Sequence, residues 1–150
     1  MKARALHSVI CTKILKETIN FYEDYFNFEV YFESDTYAHL KSYHNDERDS
    51  SVDLAIMDVA HPAAPANMSE GTANLMLFLY TDDLEGTYDH LYMEGVTLNG
   101  EIRQDKCGKS YFSLQDPNGV TIVLGQAGQK CMGNLIEEGA TSQVREFATA

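Results

Sequence analysis

The sequence predicts an α+β fold built from two consecutive βαβββ modules, and three features predict it. The order strand, amphipathic helix, three strands occurs twice, at an offset of 66 residues that sets Tyr22 against Tyr88 and Val30 against Val96. Helical periodicity appears once in each repeat and two-residue alternation fills the remainder. The prolines, Pro62, Pro65 and Pro117, fall between periodic segments and not inside them.

The first module opens with a strand over residues 5–12 (ALHSVICT). Leu15, Ile19, Tyr22 and Phe26 then recur at i, i+4, i+7 and i+11, one face of a helix. Phe28, Val30 and Phe32 alternate with Glu29, Tyr31 and Glu33, which is strand periodicity. A further strand covers Tyr37 to Tyr43. The polar run 44–51 reads as a turn and VDLAIMD (52–58) as the last strand of the module. Residues 59–71, with two prolines among small side chains, form a connector.

The second module starts with the strand ANLMLFLY (73–80). Asp82, with Glu85 three residues on, is the expected N-cap of a helix whose apolar face carries Leu84, Tyr88 and Leu91. Gly95 stands where a left-handed residue ends such a helix. Strands follow over Val96 to Arg103 and over 109–115. In the DPNG turn (116–119) proline presets φ, and Asn and Gly tolerate positive φ. VTIVL (120–124) closes the module. The chain thus divides into a domain over 1–126, with modules at 5–58 and 72–124, and a tail over 127–150. Val144 and Phe147 are the tail's candidate anchors for a short helix; a mobile tail, or one packed on a neighbouring subunit, is equally admissible.

At 150 residues with 44% hydrophobic content, the chain is sized for one domain and has no apolar run of membrane-spanning length. The N-terminus reads as a strand entering a helix and not as a signal peptide. Three widely spaced cysteines, Cys11, Cys107 and Cys131, offer no zinc spacing or disulfide framework, so free thiols and a cytoplasmic setting are expected. A formal charge of −12 disfavours nucleic acid and anionic membranes as partners and is compatible with a cationic ligand. Gly-rich phosphate loops, Ser-centred elbows and basic-aromatic strips do not occur.

Two segments carry a family resemblance. LHSVICTKILKETINFYEDYFNFEV looks like the opening of a glyoxalase module, and YFSLQDPNGVTIVLGQ resembles its closing hairpin. The chain over roughly 5–126 therefore resembles the vicinal-oxygen-chelate superfamily of glyoxalases, extradiol dioxygenases and bleomycin-resistance proteins. The resemblance implies glyoxalase/bleomycin-resistance-like curved mixed sheets around a cavity. It also implies four inward metal-ligand positions, one on the first and one on the last strand of each module. Carried over, these fall on His7, Asp53, Asn74 and Val123. Relatives that use a metal place a Glu where Val123 stands. Valine can neither neutralise an ion nor take a proton, so any metal would rest on His7 and Asp53 with a neutral amide, a poor set for a divalent centre.

The expectation is no metal cofactor, with a divalent ion as the alternative. Ligand-binding residues are expected on the faces turned from the helices. In the first module these are His7, Tyr37, His39, Asp53 and Met57, because Ala38 and Leu40 take the helix-packing side. In the second they are Asn74, Met76, Phe78, Tyr111 and Ser113. The resulting expectation is a homodimeric protein that binds or sequesters a small, cationic or drug-like molecule without chemistry. The alternative is a metal-dependent glyoxalase-like lyase or isomerase, with a carboxylate supplied by Glu33, Glu101 or Asp105. A weaker third reading is an interaction domain with a vestigial cavity.

Overall fold

The structure, a computed structural model, describes residues 1–44, 51–66 and 75–129. It has the α+β class and the two βαβββ-like modules that the sequence predicts, arranged as two four-stranded sheets and two helices. The chain divides into one unit of Met1–Ala73 with Asp116–Gly119 and a second of Asn74–Gln115 with Val120–Ala150.

In the first unit β1 (Ser8–Thr12), α1 (Leu15–Phe26), β2 (Glu29–Glu33), β3 (Tyr37–Tyr43) and β4 (Ser51–Asp58) follow in sequence. The sheet order is β1-β4-β3-β2, with β1 and β4 parallel and the other pairs antiparallel. α1 packs on β3 and β4. Ile10, Ala38, Leu40 and Ile56 are fully buried with Ile19 and Tyr22 of the helix. Strand alternation therefore turns Tyr37, His39 and Lys41 to the opposite face. α1 ends at Asn27, whose φ of 54° is left-handed, and the Phe28 amide donates to the Tyr22 carbonyl at 3.2 Å.

The Asp116–Gly119 turn completes this unit's core. The Tyr22 hydroxyl donates to Asp116 Oδ2 at 2.9 Å, and Asp116 Oδ1 accepts the Asn118 amide at 2.8 Å. Asn118 Nδ2 donates to Thr18 Oγ1 at 2.9 Å, while the Thr12 hydroxyl donates to Asn118 Oδ1. Burial and the anionic neighbour drive the Tyr22 phenol far above its ordinary range, so it stays a donor.

The second unit contains β5 (Met76–Thr81), α2 (Leu84–Met93), β6 (Arg103–Gln104), β7 (Ser110–Gln115) and β8 (Thr121–Gln126), with sheet order β5-β8-β7-β6. Leu84 and Leu91 of α2 are buried, as are Phe112, Leu114, Ile122 and Leu124 of the sheet. Two sequence expectations are corrected here. The N-cap is Asp83 and not Asp82: its Oδ1 accepts the Gly86 amide at 3.0 Å, which places a glycine where a capping box needs Glu85. The strand expected over 96–103 shrinks to Arg103–Gln104 and a lone bridge between Leu98 and Leu114, because Gly100 turns the chain at φ +93°.

α2 closes in a Schellman arrangement, with Val96 N–H on the Leu91 carbonyl at 3.0 Å and Gly95 N–H on Tyr92 at 3.1 Å. Gly95 has φ +81°. Gly95→Ala is expected to lower stability by about 1–2 kcal/mol, read by denaturant unfolding.

Among the described cysteines Cys11 is free and Cys107 is disulfide-bonded. This corrects the expectation of free thiols throughout, and the cysteines no longer argue for a reducing compartment. No described helix is long and apolar enough to cross a membrane.

Candidate functional site

The face of the first sheet turned from α1 gathers polar and aromatic groups in a graded order. β3 and β4 pair so that Lys41 lies opposite Asp53, His39 opposite Ala55 and Tyr37 opposite Met57. β1 adds Cys11 beside Met57. His7, exposed ahead of β1, has its ring centroid 5.7 Å from that of His39.

Asp53 is the hub. Its Oδ1 accepts the Ser51 hydroxyl at 2.8 Å and lies 3.6 Å from Lys41 Nζ. Its Oδ2 lies 3.7 Å from His39 Nε2. Burial alone would raise this carboxyl, but the Ser51 hydroxyl, the Lys41 ammonium and His39 together outweigh it and hold the group below the ordinary carboxylate range. Tyr31, within the bulge between Val30 and Phe32, lies over this group: Lys41 Nζ sits 4.7 Å from the Tyr31 centroid, and the Tyr31 and His39 rings meet edge-on at 5.9 Å. A depressed carboxylate adds stability at neutral pH that is lost as the pH falls through its folded value. Lys41→Met is accordingly expected to move the Asp53 midpoint up toward the ordinary carboxylate range and to shrink that acid-side loss, read by carboxyl NMR titration.

In the second unit Met76, Phe78 and Tyr80 project from one face of β5 and are half exposed. Phe78 and Tyr80 lie 4.9 Å apart, over Gly125; a Cβ at Gly125 would come within 2.9 Å of the Phe78 ring. Ser113 and Phe78 both pair with Val123, and Tyr111 pairs with Gly125, so all share this face. Ser113 Oγ accepts Asn99 Nδ2 at 3.3 Å. Asn74 lies outside the described residues.

A hollow of about 300 Å³ elsewhere in this unit is lined by Asp83, Glu85, Ile102, Ser110, Gln126 and Gln129. Its amides are spent internally. Gln126 Oε1 takes the Leu84 amide at 3.0 Å, and Gln129 Oε1 takes that of Ser110 at 2.6 Å.

Residues 4–124 match the Glyoxalase/Bleomycin resistance protein/Dioxygenase superfamily. The chain belongs to that superfamily. No curated protein matches the chain. Its fold is similar to a protein from the mobile metagenome of V. Pseudocholerae, at 21% identity and TM-score 0.66, covering 86% of this chain and 98% of that one. It is also similar to a glyoxalase/bleomycin resistance protein/dioxygenase from Nocardioides, at 13% identity and TM-score 0.68, covering 87% and 89%. A lactoylglutathione lyase from Agrobacterium tumefaciens aligns at 14% identity and TM-score 0.64, covering 85% and 96%.

Superfamily membership raises the question of a metal, and the donors among the described residues do not fit one. Val123 is buried and has no donor atom. Asp53 already carries an ammonium, and unit charges about 4 Å apart interact by about 4 kcal/mol at an effective dielectric of about 20, before solvent screening. A divalent ion on that carboxylate would meet repulsion of this order for each of its charges. Among the described residues no three His, Cys, Asp or Glu side chains group to hold an ion. The carboxylates considered as substitutes are engaged elsewhere or exposed. Glu33 pairs with Lys16 at 3.4 Å, Asp105 Oδ1 accepts the Cys107 and Lys109 amides, and Glu101 is exposed.

His7 thus lies just ahead of the first strand and not on it, beside His39, while His39 meets Asp53 within the sheet and Tyr37 and Met57 lie further along the same face. Lys41, Tyr31 and Ser51 belong to this group and were not among the expected site residues. The alternation that selected His39 also selects Lys41, so its signal was present. Alternation from Val30, which pairs with Leu40 on the helix-packing side, already puts Tyr31 on this face, and the bulge adds Phe32 opposite His39.

Proposed function

We propose that this chain is a small-molecule binding protein of the glyoxalase/bleomycin-resistance type that works without a metal, on the sheet faces its helices leave uncovered. The observation that carries the reading is the Lys41 ammonium at 3.6 Å from Asp53. A tethered cation sits on the carboxylate that a metal-using relative would leave free for its ion. Aromatic and methionine side chains supply adaptable apolar walls: Tyr37 and Met57 in one unit, Met76 and Phe78 in the other. The polar centre of His39, Asp53 and Lys41 supplies orientation. An acidic surface is compatible with cationic ligands.

The reading predicts that protein purified without chelator carries no near-stoichiometric Ni, Zn, Fe or Mn. In a thermal-shift screen, cationic glycopeptides or glutathione adducts should raise the melting temperature equally with and without EDTA. A ligand at about 100 times its Kd adds about 2.7 kcal/mol to stability. One equivalent of metal that is lost in His7→Ala or Asp53→Ala would overturn the proposal in favour of a lyase or isomerase.

A further inference from the structure

His39 carries a feature that binding by apolar walls does not use. Its Nε2 is fully buried and makes no hydrogen bond, and the carboxylate oxygen of Asp53 stands 3.7 Å away. The ring is walled by His7 at 5.7 Å and by Tyr31 at 5.9 Å. Asp53 is fixed from its other side by Ser51 at 2.8 Å and Lys41 at 3.6 Å. In a neutral imidazole one nitrogen carries the proton and the other presents a lone pair. A lone pair aimed at an anionic carboxylate is repelled, whereas an N–H aimed at it is attracted. The His39 side chain is 21% exposed although its Nε2 is buried, so Nδ1 is the nitrogen left to face a ligand.

We infer that Asp53 fixes His39 as the Nε2–H tautomer, so that His39 Nδ1 is the hydrogen-bond acceptor that reads the ligand on this face. The ligand class follows from the surroundings. An acceptor nitrogen selects an O–H or N–H donor, and the neighbouring rings select a flat body to carry it. Phe32 and Tyr37 lie 6.3 Å apart, and Tyr37 and His61 lie 6.0 Å apart, which continues an aromatic surface from the His39 strand. The inference deepens the proposed binding function and rests on it for the ligand, but the tautomer stands on the free protein alone.

The test uses full-length protein labelled with ¹⁵N-histidine, above the ordinary imidazole range of about 6.5. His39 is assigned by its absence in His39→Asn. Long-range ¹H–¹⁵N correlation should give a pyrrole-like Nε2 and a pyridine-like Nδ1, and Asp53→Asn should shift this toward an averaged ring. The parent spectrum is decisive if that variant folds poorly. Phenol and fluorobenzene, near-isosteric rings differing in one hydroxyl donor, are then titrated. Phenol should move Nδ1 and bind about tenfold more tightly, the factor one ordinary hydrogen bond supplies. A protonated Nδ1 in the free protein would overturn the inference and leave the binding function standing. Equal affinities for the two rings would overturn the acceptor role. The expected tautomer with no response to either ring, and none to the wider screen, would count against the binding function as well.

Discussion

Tyr22→Ala is expected to lower the free energy of unfolding by about 3–5 kcal/mol, the range for removing a fully buried aromatic side chain. Tyr22 is 0% exposed and packs against Phe26 at 6.0 Å and Phe28 at 5.9 Å. The loss has a polar part too, since Asp116 is only 5% exposed and its Oδ2 would lose the phenol donor. Tyr22→Phe isolates that part, keeping the ring and removing the hydroxyl, at about 1–3 kcal/mol. Urea or thermal unfolding of the pair separates the two contributions. At about 2–4 °C per kcal/mol for a chain of this size, the alanine variant should melt about 10 °C below the parent. A phenylalanine variant as unstable as the alanine one would mean that the hydroxyl, and not the ring, holds this corner of the fold.

The second large effect is expected at Phe112→Ala, again about 3–5 kcal/mol. Phe112 is 2% exposed in β7, opposite Leu124, and Tyr88 of α2 meets it edge-on at 5.1 Å. The edge-on geometry contributes about 0.5–1.5 kcal/mol beyond area. Tyr88→Ala should therefore cost less than Phe112→Ala, because Tyr88 is itself only half buried. Hydrogen exchange checks the location: amides of β7 and β8 should lose protection first. Protection lost instead across β3 and β4 would contradict the division of the chain into two units.

Most of the fold was legible because burial imposes a period. Leu15, Ile19, Tyr22 and Phe26 predicted the extent of α1 from Leu15 to Phe26, and the Ala38–Leu40 alternation assigned the two faces of β3 correctly. Boundaries failed where one residue outweighed a pattern, as Gly100 did in the expected strand and Asp83 did at the helix start. The site was legible only as a set of side chains sharing a face. Which of them touch depends on cross-strand register, and Lys41 meets Asp53 because β3 and β4 pair at that step. Alternation within a single strand carries no such information. The bulge that sets Phe32 opposite His39, and the bond from Tyr22 to a residue 94 positions away, are likewise properties of paired chain and not of local pattern.

The placement of the Asp-Pro-Asn-Gly turn in the first unit bears on how the protein is made. A ribosome that has finished Ala73 has not yet supplied the last four residues of that unit, which run from Asp116 to Gly119. Translation of the intervening roughly 40 residues takes about 2–8 s at about 5–20 residues per second. During that interval the emerging half carries a phenol and two threonine hydroxyls still waiting for Asp116 and Asn118. The first half to be synthesised is thus finished by a piece of the second, and folding of the two halves cannot proceed strictly one after the other.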